Sequence, residues 1–199
     1  YLPQEGVDGF SKVVANVVPT KKVVISHIAI TNTQIIDGYW AGELVDTSTI
    51  TGMSYMFNGC SQLQYLDVSN WDTSNVTLIN NMFASCSQLQ YLDVSNWDVS
   101  KVTNAQNIFF QNNKLNSIVG NRTIDDVLAN NIGALNGLKV GLSFWTAQAI
   151  DRASLRAVIN GLADLTGQTA QTLVLGDKLM AKLTEEDIAI ATAKNWTIV

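Results

Sequence analysis

Residues 56–77 read MFNGCSQLQYLDVSNWDTSNVT, and residues 82–103 read MFASCSQLQYLDVSNWDVSKVT. The two stretches are offset by 26 residues and agree at 18 of 22 positions. A unit this short cannot bury its own apolar face, so it has to stack on a copy of itself. That requirement limits the fold more than any other feature of the chain.

The shape of the unit follows from its apolar spacing. Leu63, Leu66 and Val68 are repeated by Leu89, Leu92 and Val94. The last two of each set alternate, as a short strand with one buried face requires. Val76, Ile79, Met82, Phe83, Cys86 and Leu89 fall at steps of mostly three or four, which fits one side of a short helix or an irregular turn. Strand plus short helical arc, with leucines at this spacing, is the leucine-rich-repeat plan. The fold class expected is therefore α/β: a right-handed leucine-rich-repeat solenoid. Its parallel sheet would use short strands near 64–69, 90–95 and 116–119. Short helices near 78–85 and 104–110 would lie on the convex side.

The repeat frays at both ends. Asp46–Thr51 lines up with Asp72–Thr77, while Ile108, Phe109, Leu115 and Ile118 follow Met82, Phe83, Leu89 and Leu92 by 26. The Asp, Trp and Cys of the unit are lost in that third copy, as expected of a unit covering an open end. Three regions result: a β-rich N-terminal cap over 1–45, repeats over 46–122, and an α/β extension over 123–199 that continues the sheet. In the cap, strands are expected within 13–17 and 21–36, and a tight bend over 38–44. In the extension, Thr123 and Asp126 predict a capping box for a helix over 124–130. A strand over 138–145 and a helix over 151–165 closed by Gly167 follow. A strand over 172–175, a helix capped by Thr184 and Asp187, and a final strand over 196–199 complete the order.

Composition excludes more than it assigns. Lys and Arg number five against nine Asp and Glu in residues 1–120, and seven against eight in 121–199. With a net charge of −5 and no basic stripe, neither nucleic acid nor an anionic membrane surface is expected as a partner. No run is long enough to span a bilayer, so membrane insertion is not expected. Charged residues are only 15% of the chain, so its surface is built from Asn, Thr, Ser and Gln. The sequence given begins at Tyr1 and not at Met, and a mature or trimmed form is expected.

Candidate functional residues come from the outward positions of the strands. Gln64, Tyr65, Asp67 and Ser69 should stack on Gln90, Tyr91, Asp93 and Ser95, making ladders of amide, aromatic ring, carboxylate and hydroxyl. Such a surface suits contact with a protein or a sugar. It would equally arise in a scaffold that binds nothing. Asp72 and Asp98 are expected to accept local backbone hydrogen bonds in a D-x-S turn. Calcium is the alternative, but no loop supplies six oxygen ligands, and no metal or other cofactor is expected. Trp71 and Trp97 are read as closing the core at the turn, with sugar stacking as the alternative. Cys60 and Cys86, one layer apart, are read as free buried thiols, although a disulfide is geometrically allowed. His27 has no second His or Cys near it in sequence. The glycines of 133–141 match no phosphate-binding pattern. A glycan hydrolase built on Asp67 and Asp93 would need the two carboxylates across a substrate, not in a flat ladder. No catalytic residues are assigned, and the chain is read as a non-enzyme.

The pattern M-x-x-M-F-x-x-C-x-x-L-x-x-L-D-x-S-N-W-D-T-S-x-V-T of residues 53–77, and its copy over 79–103, resembles the repeat of bacterial and mycoplasma surface lipoproteins. That repeat belongs to the BspA-like group of leucine-rich repeats. Residues 5–18 resemble a segment of phage and prophage tail proteins, and residues 154–199 a C-terminal piece found beside these repeats. The resemblance implies a surface-displayed adhesion or binding module, extracellular or on a bacterial cell surface. Its partner would be a host or bacterial surface protein or glycan. The alternatives are a phage or prophage tail segment, structural or receptor-binding, and a pure spacer.

Overall fold

The computed structural model describes Ile30, residues 35–36 and 38–40, and residues 47–199. The strands and turns expected over 1–29, most of the bend over 38–44, and His27 lie outside these residues.

Among the described residues the fold is mixed α/β, with two small sheets and few helices. The first sheet contains β1 (Ile35–Ile36), β2 (Tyr39–Trp40), β3 (Tyr65–Asp67) and β4 (Tyr91–Asp93), in that order. β1 and β2 are antiparallel, and β2, β3 and β4 are parallel. The register sets Tyr39 beside Tyr65, Tyr65 beside Tyr91, and Tyr91 beside Ser117. Each step is 26 residues, so the sequence period is the vertical register of the sheet. It reaches back to Tyr39, in a stretch whose composition suggested only a bend. A second column of isolated bridges, Gly52 to Leu78 to Asn104, keeps the same period on the far side of each layer.

The arcs between the strands are not helices. Tyr55, Asn81 and Asn107 are left-handed, with φ of 61°, 55° and 58°, and Gly59, Ser85 and Gln111 follow at 74°, 62° and 61°. Two left-handed residues per layer, four apart, stop any right-handed helix from forming. The backbone is satisfied another way. Met56, Asn58 and Cys60 donate three residues back, to Met53, Tyr55 and Phe57. The alternate residues Met53, Tyr55, Phe57 and Gly59 donate to Leu78, Asn80, Met82 and Ala84 of the next layer, at 2.8–3.1 Å. Ile79, Asn81, Phe83 and Ser85 repeat this toward Asn104, Gln106, Ile108 and Phe110. Buried donors thus find partners between layers, where a helix would have paired them within one.

Aromatic rings run through the core in columns. Phe57, Phe83, Phe109 and Phe144 stack with centroids 5.6, 6.1 and 5.2 Å apart. Trp71 stacks on Trp97 at 6.3 Å, and the Trp97 indole donates to the Val68 carbonyl at 3.0 Å. Both tryptophans are buried, which explains an aromatic at each strand end: it seals the layer where the chain turns.

Cys60 and Cys86 are free and buried. The Cys86 Sγ donates to the Phe57 carbonyl at 3.0 Å, and the Cys60 Sγ to that of Ile30 at 3.3 Å. Burial pushes the Cys60 thiol up to about 11, and it raises that of Cys86 as well. Neither presents thiolate, the reactive form, near neutral pH. Both thiols are expected to resist a thiol–disulfide reagent in the folded chain and to react once urea unfolds it. A thiol that titrates at once under native conditions would contradict this.

The extension departs from the expected single sheet. β5 (Leu142–Ser143), β6 (Gln171–Val174) and β7 (Trp196–Ile198) form a parallel three-stranded sheet of their own. The cause lies at the third layer. Ser117 pairs parallel to Tyr91, but Val119 already pairs antiparallel to Asp93. The Ser117 hydroxyl accepts from the Val119 N–H and donates to the Gly120 carbonyl, curling the chain back. The strand expected over 116–119 is therefore cut short. Helix α1 (Ile124–Asn130) follows, with the capping box of Thr123 and Asp126 in place. The core nevertheless continues unbroken from Ile30 to Trp196.

Helix α2 (Arg152–Gly161) starts at its Asp151 cap and stops four residues short of Leu165. Gly161 lies against Ala134, where an added Cβ would meet the Ala134 carbonyl oxygen at 2.2 Å. Leu162 then turns extended and bridges Leu138. A short helix α3 (Asp177–Met180), not foreseen from sequence, precedes α4 (Glu185–Ala193), whose Thr184–Asp187 capping box is formed.

Candidate binding face

The outward residues of β3 and β4 define one groove, lined by Tyr65, Leu66, Asp67, Tyr91, Leu92, Asp93, Gly120 and Asn121, with a volume of about 580 Å³. Leu66 and Leu92 point inward, so Tyr65 and Asp67 on one strand, and Tyr91 and Asp93 on the next, share the opposite face. The tyrosine rings stack with centroids 5.6 Å apart and planes 5° apart. Each ring fixes its neighbour, so the pair offers a pre-ordered aromatic surface with little side-chain entropy left to lose on contact.

The two carboxylates differ. Asp67 Oδ1 accepts from the Ser69 hydroxyl at 2.6 Å and from its N–H at 3.0 Å. These two bonds hold the Asp67 pKa below the usual carboxylate range. Asp93 Oδ1 makes the same pair of bonds to Ser95, but its Oδ2 is also bound by Arg122 at 2.6 Å. Arg122 additionally donates to the Val119 carbonyl at 2.9 Å. One negative charge of the expected Asp–Asp ladder is thereby offset, which removes the like-charge cost of stacking. Gly120 has a φ of 64° and lies where a Cβ would come within 3.0 Å of Asp93 Oδ2. A side chain there would push into the carboxylate, so glycine lets the curled segment close down as the groove wall.

The remaining sequence candidates contribute through structure more than surface. The Gln64 carbonyl accepts both the Gln90 and the Tyr91 N–H, and the Gln90 carbonyl accepts those of Asn116 and Ser117. The Gln64 side chain packs over Gly38, where a Cβ would fall 2.8 Å from it. Ser69 and Ser95 spend their hydroxyls on the aspartates, and Ser95 is buried. Asp72 and Asp98 accept from Ser74 and Ser100 at 3.0 and 2.9 Å, the local turns expected of them. Of the sequence candidates, Tyr65, Asp67, Tyr91 and Asp93 line the groove. Arg122, Gly120 and Asn121 were not among the sequence candidates. Their signal was loss of the motif in the third copy, which marked a change of path without saying where it led.

Residues 27–135 match the family described as Mycoplasma protein of unknown function, DUF285. The chain belongs to this family. The DUF285 match covers more than half of the chain and takes in both motif copies, the curled third layer and α1. It therefore includes every residue lining the groove. Neither the curated proteins nor the solved structures compared contain a match. No helix among the described residues is long and apolar enough to cross a membrane.

Proposed function

We propose that this DUF285 chain is a non-enzymatic, surface-displayed binding or adhesion module, and that it engages its partner through the groove of Tyr65, Tyr91 and Asp67. The observation that carries this reading is the tyrosine pair, stacked 5.6 Å apart and set beside an exposed carboxylate in an open groove. Aromatic residues held rigid in a recess are the usual centres of binding energy at interfaces. The stacking of layers at one constant register supports a finer reading of the fold as a leucine-rich-repeat solenoid of BspA-like kind. An extracellular or bacterial cell-surface location accords with a surface built from neutral polar side chains, and the partner would be a surface protein or glycan.

The test compares the 199-residue chain with its Tyr65→Ala/Tyr91→Ala form for binding to whole bacterial and epithelial cells. Saturable binding is expected of the parent chain and is expected to weaken by on the order of tenfold or more in the double variant. Equal binding by both forms, at matched thermal stability, would remove the strand face as the site.

A further inference from the structure

A second surface carries its own argument and does not rest on the strand face. Where the third layer meets β5, a groove of about 380 Å³ runs between Asn104, Gln106 and Asn107 on one wall and Gly141, Ser143 and Thr172 on the other. It shares Asn107 and Ser143 with a recess of about 210 Å³ whose remaining lining is Phe110, Trp145 and Thr146. No Asp, Glu, Lys or Arg lines either part.

Trp145 is 66% exposed, the largest exposure among the big apolar side chains described, and Phe110 is 43% exposed. The main chain that carries the indole is held in place: the Trp145 N–H donates to the Ser143 hydroxyl at 3.2 Å, and the Trp145 carbonyl accepts from Gln148 Nε2 at 3.0 Å. The ring lies over Gly176, where an added Cβ would come within 3.3 Å of it. Gly176 has a φ of 73°, so glycine both permits the turn and leaves room for the indole. The outcome is a largely exposed ring, set close to Gly176 through its Cε3 and Cζ3 atoms, beside a neutral recess.

The wall facing it has donors to spare. Met53 and Tyr55, and then Ile79 and Asn81, donate their main-chain N–H groups to the following layer. Ala105 and Asn107 stand at the same positions one layer on, yet their N–H groups have no partner among the described residues. Both residues line the groove that separates this layer from β5.

We propose that this groove binds an uncharged oligosaccharide, with one sugar ring resting on Trp145 and its neighbour held by the amides and hydroxyls of Asn107, Ser143 and Thr146. A flat indole suits the C–H face of a pyranose, in the way aromatic rings pack against apolar surface elsewhere. Main-chain N–H groups and neutral side chains suit hydroxyls that both donate and accept. The absence of charge along the lining matches a neutral ligand and offers nothing to offset a sulfate or carboxylate. An extended peptide is the poorer fit: Asn107 is left-handed, with a φ of 58°, so its wall is not a strand edge, and β5 on the other wall is only two residues long.

The test is an array of neutral oligosaccharides printed beside sialylated and sulfated counterparts and a set of uncharged extended peptides, probed with the 199-residue chain. Hits are then titrated by calorimetry with the parent chain, Trp145→Ala, Phe110→Ala and the Tyr65→Ala/Tyr91→Ala double variant. The expected result is saturable binding of at least one neutral oligosaccharide. Trp145→Ala should weaken it by on the order of tenfold or more, Phe110→Ala should weaken it less, and the tyrosine double variant should leave it unchanged. Should Trp145→Ala lower thermal stability, the Phe110→Ala titration decides. Failure of every neutral glycan to bind, preference for anionic glycans or peptides, or binding that only the tyrosine variant loses would each overturn the proposal. The last of these outcomes would at the same time support the strand face.

Discussion

Phe83→Ala is expected to lower the unfolding free energy by about 3–5 kcal/mol, the range for an aromatic ring removed from a closed core. Phe83 is fully buried and lies between Phe57 at 5.6 Å and Phe109 at 6.1 Å, with Trp97 at 6.2 Å on its flank. The rings above and below are anchored by their own layers, and the layers are tied by the inter-layer hydrogen bonds of Asn81, Phe83 and Ser85. The column therefore cannot close over the gap, and the cavity term stays in full. Urea denaturation at constant slope is the measurement, with Phe110→Ala as the comparison. Phe110 is next in the aromatic inventory but 43% exposed, and its loss is expected to cost less than about 1 kcal/mol. A Phe83→Ala loss as small as that of Phe110→Ala would mean that the layers slide together, and that the ring column is not a rigid spine.

That column also shows what the sequence could and could not say. The 26-residue period was visible in the letters, and it became the register of Tyr65 on Tyr91 and of Phe83 under Phe57. Identical side chains at one offset leave only one stacking that buries all of them. Local signals with a complete chemical partner were legible too. Thr123 with Asp126 and Thr184 with Asp187 placed two helix starts, because a capping box closes within four residues. The arcs were misread as helices because apolar residues at steps of three and four suit a helix and equally suit a turn that buries every second or third side chain. The discriminating letters were Gly59, Asn81 and Asn107, residue types that tolerate the left-handed conformation. Gly38, left-handed at a φ of 86°, was a further such letter, lying between the two antiparallel strands at Ile36 and Tyr39. On the candidate face, the tyrosines and aspartates were legible as outward positions of a period-two pattern. Arg122 was not, since its reach to Asp93 depends on the curl at Ser117, made by one hydroxyl. Trp145 read as the end of a strand. No letter pattern distinguishes an exposed indole from a buried one.

Asp187→Ala is expected to cost about 3–5 kcal/mol, because it strands a buried cation. Asp187 is fully buried on α4 and joins that helix to α2. Its carboxylate accepts from Arg156 at 2.7 Å, from Arg152 at 3.2 Å and from the Thr184 N–H at 2.9 Å. Arg156 is itself only 8% exposed, with a second acceptor in Glu186 at 3.4 Å and a third in Asn160 at 3.0 Å. Removing the carboxylate leaves the guanidinium desolvated with weaker partners and unmakes half of the α4 cap. Replacing both residues, Arg156→Met with Asp187→Leu, is expected to recover a large part of the loss, since an apolar pair of similar volume needs no compensation for burial. Recovery should be incomplete because Thr184 still lacks its cap partner.

The same carboxylate makes stability depend on pH. Burial works to raise the Asp187 pKa, but the Thr184 N–H, Arg156, the Thr184 hydroxyl and Arg152 outweigh it and hold it below the usual value. A carboxylate whose pKa is lowered on folding stabilises the chain above its unfolded value of about 3.9, and that contribution is lost as pH falls through the folded value. The parent chain should therefore be insensitive to pH near neutrality and lose stability steeply below about pH 4. Asp67, Asp72 and Asp98, lowered by the hydroxyl and N–H of Ser69, Ser74 and Ser100, act in the same direction. Asp187→Ala should flatten the acid limb without abolishing it. An acid limb as steep in Asp187→Ala as in the parent chain would assign the pH dependence to the hydroxyl-bound aspartates, Asp67, Asp72 and Asp98 of the repeats together with Asp126 and Asp164. It would leave the α2–α4 contact to packing alone.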